Sequence, residues 1–539
     1  MPEYLAPGVY IEEISTGPVP IEGVSTSTSG FVGQTARGPT SPVLVTSWLS
    51  YQRWFGVHTD PAVSFLSYAI QGFFENGGRR AFVSRVTRSD ATPANLALAT
   101  DGAVTLVVQA LGAGEWGNRI FLRVRDGSRS GFRLTILYFS EAPLNFVDPT
   151  DSANLNNPDR REPDVIEDYD NLSFDPRGPN YVLTRVNGAS HLVNVQWSDP
   201  AVPTARPANI AFDGGQLLGG SDGSVAMNAD RYIGNGAGDP SISSRSRTGL
   251  ASLEMIDEIS LLCVPDEVHP ALNPVAQGAI ASAVINQCER LRDRFAILQT
   301  PQGQGDVTLV STSLPSQQDS QYAAVFYPWV HVFDARSQDA LLVPPGGHVT
   351  GVYARTDIER GVHKAPANEE LRGIITRDLS GDRGPLEYRL TKEQHDILNP
   401  LGINVLRDFR PDGRGIRVWG ARTRSSDPQW RYVNVRRLFI FIEESIEEGT
   451  QWAVFEPNDE PLWSRVRRSI TNFLIGVWRS GALMGTTQEQ AFFVKCDRTT
   501  MTQDDIDNGR LVCYIGLAPV KPAEYVIFRF SQKTADVTT

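Results

Sequence analysis

The sequence predicts a multi-domain protein of mixed α/β and α+β architecture. Three observations carry that expectation. The chain has 539 residues, enough for three or four domains at about 150 residues each. Residues 258–301 read strand, helix, strand, the pattern of a βαβ unit whose parallel sheet is covered on its faces. Residues 101–245 read instead as short strands separated by turns and polar loops.

The elements follow in chain order. In PGVYIEEI, Val9 and Ile11 point one way, Tyr10 and Glu12 the other. Pro2, Pro7, Pro18 and Pro20 bracket it, so a helix does not fit; a strand this isolated needs a sheet elsewhere to pair with. FVGQTARGP and ARGPTSPVLV carry strand and turn signals, SFLSYAIQGFFENGG an amphipathic helix with a glycine stop, and AFVSRV a strand. AVTLVVQAL, NRIFLRVRD, GFRLTILYF and YVLTRVN are expected strands, and DPTDSANLNNPDRREPDVIEDYDN a solvated, acidic excursion. EISLLCVPD is a buried strand. A helix follows with Ile280, Val284, Cys288 and Leu291 at three- and four-residue spacing, then the strand RFAILQTP. YAAVFYPWVHVFD supplies one more strand, and residues 341–430 are dense in Gly, Pro and Arg. The chain closes on AFFVKCD, GRLVCYIGLAP and EYVIFRFSQK. In the last, Val526, Phe528 and Phe530 face one way while Tyr525, Ile527 and Arg529 face the other.

Composition excludes several classes. Apolar residues are 41 % and charged residues 21 %, so a sizeable core is expected and disorder along the whole length is not. Net charge is −12, which argues against a protein whose main task is to coat nucleic acid. Four scattered cysteines, none in a C-x-x-C pair, do not make a disulfide scaffold and fit a reducing compartment. MPEYLAPGVYIEE has neither a basic nor an apolar signal region, and no apolar run reaches 18 residues, so neither a secretory signal nor a spanning helix is expected.

No motif carries catalysis or a cofactor. Gly112-Ala-Gly114-Glu-Trp-Gly117 satisfies G-x-G-x-x-G, but a strand follows where a dinucleotide site needs a helix N-terminus. It reads as a tight turn with Trp116 packed over it. The seven histidines stand far apart without zinc spacing, and neither a P-loop nor a G-x-S-x-G elbow is present. Catalytic, cofactor-binding and metal-binding residues are therefore all expected to be none. One stretch does stand out. Along 461–483, Trp463, Val466, Ile470, Phe473, Leu474, Val477 and Trp478 share one helical face. Arg465, Arg468, Asn472 and Arg479 fall within about 60° of one another on the opposite face, a guanidinium stripe suited to an acidic partner.

These segments also carry a resemblance. APGVYIEE, GEWGNRIFLRV, CERLRDRFAILQTP, YAAVFYPWVHVFD, PPGGHVTGVYARTDIERGVHKAPAN, GINVLRDF, WGARTRSSDPQWRYVNVRRLFIFIEESI, WAVFEPND, LWSRVRRSITNFL and GALMG stand in the order found in one family, as do the closing AFFVKCD and GRLVCYIGLAPVKPAEYVIFRFSQ. The chain resembles the sheath proteins of contractile phage tails and contractile injection systems over most of its length, with residues 141–245 matching least.

The resemblance implies a structural subunit, not an enzyme, that stacks in hexameric rings around an inner tube and contracts to drive the tube through a target envelope. It implies an N-terminal arm at 1–23, the N-terminal part of the sheath core at 24–100 and a β-rich outward insertion at 101–245. A subtilisin-like α/β domain without protease activity would take 246–410, a C-terminal sheath domain facing the tube 411–519, and a C-terminal arm 520–539. Val9, Tyr10, Ile11, Val526, Phe528 and Phe530 would then pair with sheets of neighbouring copies, and Arg465, Arg468 and Arg479 would meet the tube. The implied partners are further copies of the chain, an inner tube protein, and baseplate and terminator or cap proteins. No cofactor, nucleic acid or direct membrane insertion is implied. Assembly is expected in a bacterial cytoplasm, and the final particle to be a virion tail, a released phage-tail-like particle, or a cytoplasmic or membrane-associated injection system. The alternatives are a hydrolase with an active subtilisin-like domain and a shell protein that never contracts.

Overall fold

The computed structural model describes residues 20–100, 103–198, 206–239, 241–243, 246–375 and 384–529. The chain divides into two compact units. Among the described residues, the larger comprises those of Ser25–Gly361 and Ala365–Val433; the smaller comprises 20–24, Val362–Lys364 and 434–529.

The larger unit opens with β1 (Ser29–Gly33), β2 (Val43–Val45), helices α1 (Trp48–Phe55) and α2 (Leu66–Glu75), and β3 (Ala81–Arg85). A β-rich insertion follows: β4 (Asn95–Thr100), β5 (Ala103–Ala110), β6 (Ile120–Asp126), β7 (Phe132–Tyr138), β8 (Val165–Leu172), helix α3 (Val182–Asn187) and β9 (Val193–Trp197). Short helices α4 (Ala229–Ile233) and α5 (Gly249–Ser252) lead to β10 (Leu261–Cys263), α6 (Pro274–Leu291), β11 (Phe295–Gln299), β12 (Ala323–Tyr327), β13 (Val330–Asp334) and β14 (Asp339–Val343). Then come α7 (Gly346–Arg360), β15 (Glu369–Glu370), α8 (Lys392–Leu398), β16 (Ile403–Asp408) and β17 (Ile416–Trp419).

The main sheet runs β15-β17-β16-β12-β11-β10-β1-β3-β2. Its six middle strands are parallel, with Ser29 opposite both Leu261 and Ala81 and Leu261 opposite Phe295. Strands β1, β10, β11 and β12 are buried at every position, as continuous apolar runs must be when helices cover both faces. The expected βαβ unit is therefore present as β10-α6-β11, with Asn273 Oδ1 capping α6 through Ala276 N at 2.8 Å.

The insertion folds two three-stranded sheets, β4-β5-β9 and β6-β7-β8, around their own apolar core. Strand β7 contributes to two clusters. Phe132, Leu134 and Ile136 point into the main one, Leu137 and the following Phe139 into a smaller one with Phe121 and Phe212. The glycine-rich segment between β5 and β6 is not only a tight turn: after Gly114 it forms a short 3-10 helix, Glu115–Arg119, in which Trp116, at 1 % exposure, donates from Nε1 to Ala113 O at 3.2 Å.

Four expectations need correction. The acidic stretch 148–171 is not a solvated excursion throughout, because its end, VIEDYDN, belongs to β8 and pairs antiparallel with β7. YVLTRVN is a helix, α3, not a strand: Val182 and Val186, four apart, are both fully buried, and Asn187 Oδ1 and Nδ2 take Val195 N and O at 2.7 and 2.9 Å. YAAVFYPWVHVFD is two strands, because Pro328 has no N–H to give a ladder and the chain leaves the sheet there to form β13 with β14. The segment through Arg529 carries no strand among the described residues.

The C-terminal edge of the parallel strands, where open α/β sheets commonly bind ligands, is closed by buried polar contacts. Asp266 accepts from Ser64 Oγ at 2.6 Å, Phe65 N at 2.7 Å and Tyr232 Oη at 3.2 Å. Glu267 Oε1 accepts from Gln299 N at 2.8 Å and Gln299 Nε2 at 2.9 Å. Both ring nitrogens of His269 are engaged by backbone, at Pro61 O and Ala271 N, so this imidazole is no free base. Burial pushes the Glu267 carboxyl up to about 8, and its Oε2 has no hydrogen-bond partner, which favours the protonated acid.

A pH dependence follows. Between its ordinary value of 4.5 and about 8, Glu267 holds a proton in the folded chain that it loses on unfolding. Its contribution to stability is thus complete at the acid end and falls as pH rises through that window. Glu267→Gln should remove the slope, raising the urea midpoint at pH 8 by a free energy on the order of a few kcal/mol while changing little at pH 5. Equal shifts at both pH values would show that ionisation is not involved.

Candidate assembly surface

The smaller unit is built on α9 (Val433–Thr450), α10 (Glu460–Arg479) and the antiparallel hairpin β18 (Phe492–Lys495) and β19 (Tyr514–Leu517). Helix α10 starts where Asp459 Oδ1 accepts from Leu462 N at 2.9 Å, with Pro461 in the first turn. It stops at Gly481, whose φ of +84° only glycine adopts without strain. Leu462, Trp463, Val466, Ile470, Leu474 and Val477 are buried in one cluster with Leu438 and Ile442 of α9 and with Phe492 and Cys496 of the hairpin. Phe473 and Trp478 pack at its margin. The apolar face read from the sequence is thus the buried face.

The opposite face carries Arg465, Arg468, Asn472 and Arg479, all exposed. Arg465 pairs with Glu456 at 3.0 Å and lies over the Trp452 ring at 5.2 Å. Half-exposed pairs of this kind hold a charge by about 0–1 kcal/mol, so the guanidinium can exchange partners at small cost. Arg468 and Arg479 form no ion pair among the described residues. The helix thus brings the three arginines onto one open strip, with Arg479 also in the last turn, where a cation suits the helix dipole.

After β19 the chain is tied down by Ala518 N to Ala491 O at 2.9 Å and Val520 N to Ala482 O at 3.2 Å. Residues 521–529 then run without helix or strand. Tyr525, Val526, Ile527 and Phe528 are 70–77 % exposed, so neither side of the alternation is buried within the chain. Val526 and Phe528 are thus both largely exposed. Val9, Tyr10, Ile11 and Phe530 lie outside the described residues.

A further contact was not legible in the sequence. Residues 21–24 lie along α9: Ile21 joins the buried cluster, and Val24 N donates to Ser445 Oγ at 3.1 Å. A Cβ on Gly449 would stand 2.7 Å from Ile21, and one on Gly23 2.9 Å from the Phe441 ring. The only signal for this was a glycine inside an otherwise regular helix.

The comparisons with known proteins fit this arrangement. The family model described as the phage tail sheath protein central domain matches residues 247–424, and that of the phage tail sheath C-terminal domain matches 425–533. The chain belongs to the contractile tail sheath family. A putative prophage major tail sheath protein of Pseudomonas aeruginosa is 28 % identical over 285 residues, covering 52 % of this chain and 68 % of that one. The tail sheath protein of Burkholderia phage BcepMu is 30 % identical over 168 residues, 30 % of this chain and 33 % of its own length. The sheath chain spans about a third of that relative and of several other phage sheath proteins it matches. Among solved structures, the contracted helical sheath of the anti-feeding prophage superposes at TM-score 0.56 and 25 % identity, covering 98 % of this chain and all of that one. The contracted sheath complex of the extracellular injection system PVC gives 0.55 at 21 % identity, with 99 % of each chain covered. The mixed α/β fold is that of these sheaths. Among the described residues no helix is long and apolar enough to cross a membrane.

Coupling between Ile21 and Gly449 tests the docked segment. Ile21→Ala should cost about 2–4 kcal/mol. Gly449→Ala should lose, through collision with Ile21, the roughly 1 kcal/mol that alanine normally gains in a helix. Together the two changes should cost less than their sum in chemical denaturation; strict additivity would mean the segment does not sit on α9.

Proposed function

We propose that copies of this chain polymerise into a helical stack of hexameric rings around a rigid inner tube, and that contraction of the stack drives the tube through a target envelope. Membership of the sheath family and likeness to contracted sheath assemblies support this reading. The observation that carries it is the run of large apolar side chains at 525–528, each 70–77 % exposed to solvent. In this reading the arms, 1–23 and 520–539, add strands to sheets of neighbouring copies, and a head-to-tail contact that does not close generates the tube. Residues 101–245 face outward, 411–519 face the lumen, and Arg465, Arg468 and Arg479 grip an acidic inner-tube surface. The central parallel sheet plays the part of the subtilisin-like domain and has no hydrolytic role. Baseplate and terminator proteins end the stack, and assembly takes place in the bacterial cytoplasm.

The extended sheath is then a metastable state held by a kinetic barrier. The arms tether neighbours while compact bodies slide to new contacts of lower free energy. A bias of about 1.4 kcal/mol per subunit, tenfold each, summed along the stack makes contraction irreversible.

Two variants test the parts separately. Deleting residues 1–15 should leave folded subunits that show no tubes by negative-stain electron microscopy; tubes from the truncated chain would refute the arm assignment. Arg465→Glu with Arg468→Glu should still form wide, empty tubes alone but fail to form narrower ones around the inner-tube protein. Normal extended particles from the double variant would refute the grip, and a single diameter under all conditions would favour a static shell.

A further inference from the structure

The hairpin of the smaller unit holds a pair of thiols that the assembly reading does not use. Lys495 stands opposite Tyr514 at the last paired position of β18 and β19, and the same register carried one residue further sets Cys496 across from Cys513, just beyond the strand ends. Phe492, Val494 and Cys496 alternate on one face of β18, and all three join the apolar cluster under α10, as Cys513, Ile515 and Leu517 do from β19. Both cysteines are free, Cys496 buried and Cys513 half-buried. Each thiol is the first influence on the other's titration, so the two side chains face each other closely. Paired Cα atoms of neighbouring antiparallel strands lie about 4.5–5.5 Å apart, inside the roughly 4.4–6.8 Å span that a disulfide bridges.

The other two cysteines differ in kind. Cys263 and Cys288 are fully buried in the larger unit, and burial pushes both thiols up, which leaves them inert. At Cys496 the facing Cys513 thiol, helped by the Arg467 guanidinium, outweighs burial and holds the thiol below its ordinary value. Cys513 is pushed the other way, first by Cys496 and then by burial. One thiol of the pair is therefore the better nucleophile and the other the better resolving group.

We propose that Cys496 and Cys513 form a redox-active dithiol that a small hydroperoxide oxidises to an intrachain disulfide. The Cys496 thiolate attacks one oxygen of hydrogen peroxide, the O–O bond breaks, and hydroxide leaves, giving a sulfenic acid at Cys496. The Cys513 sulfur then attacks the Cys496 sulfur, an S–S bond forms and the S–O bond breaks. The hydroxyl takes the Cys513 proton and departs as water, and the proton that Cys496 gave up on ionising turns the first-step hydroxide into the second water. Two thiols are oxidised, one peroxide is reduced, and two waters are released. A small oxidant suits a nucleophile that is 1 % exposed. The bond would close the loop 497–512 across the mouth of the hairpin. That loop is already ordered by a capping box between Thr502 and Asp505 and by Arg510 on Asp504 and Asp505.

The full chain treated with stoichiometric hydrogen peroxide, alkylated with N-ethylmaleimide and digested, should yield one cross-linked peptide pair containing Cys496 and Cys513. Dithiothreitol should release it, and Cys263 and Cys288 should be alkylated only after denaturation. The oxidised chain should melt several degrees higher than the reduced one, a shift absent from Cys513→Ser. In that variant Cys496 should instead be trapped by dimedone as a sulfenic acid. Disulfide-linked dimers, over-oxidised Cys513 beside an alkylated Cys496, or two free thiols after treatment would each overturn the proposal. The wild-type mass analysis decides the question even if Cys513→Ser does not fold.

Discussion

The larger unit depends on burying both faces of a parallel sheet whose middle is assembled from distant parts of the chain. Strand β1 lies between β3 and β10, and more than 200 residues separate β1 from β10. Such a sheet leaves polar strand ends in the interior, and unpaired polar groups there cost about 1–3 kcal/mol each. Asp266 meets that constraint by gathering Ser64, Phe65 and Tyr232, from segments before and after the insertion. Glu267 meets it against Gln299 at the end of the neighbouring strand. The edge where many α/β proteins open a ligand site is thus occupied by its own closure.

The same constraint sets how the second helix layer packs. Helices α2 and α7 lie against each other through small residues: a Cβ on Gly347 would come within 2.3 Å of Ala69 backbone, and one on Gly351 within 2.4 Å of Phe73 O. Glycine lowers helix propensity by about 1 kcal/mol, so GGHVTGVY reads locally as loop. The close approach is what makes it a helix in place. Read from the sequence as dense in Gly, Pro and Arg, 341–430 therefore carries no expected element, although α7 is among the most buried elements.

What was legible in the residues followed periodicity. The α6 spacing, the βαβ order and the two faces of α10 rest on patterns that are local in the sequence, and the structure has each of them. What was not legible depended on partners far away in sequence. Helix α3 is decided by Val182 and Val186 entering a core made by other strands, and the docking of Ile21 by a glycine more than 400 residues later. The arginine strip was readable as a strip; its exposure required knowing which face of α10 the hairpin covers.

The segment 521–529 has an energetic consequence for the proposed assembly. Docked on a neighbour as a strand, its four large apolar side chains would contribute about 2 kcal/mol each. Four or five ladder hydrogen bonds would add about 1 kcal/mol apiece. Ordering nine backbone residues costs about 1–1.5 kcal/mol each. The gain and the cost nearly cancel, so one arm binds weakly on its own. Such an arm suits a tether better than a lock: it keeps neighbours connected through repetition along a helix, yet its local geometry can change without a large barrier. The driving force for a change of state then has to reside in contacts between compact bodies. The arms only have to survive that change, and a segment with little net energy of its own in either arrangement is built to do so.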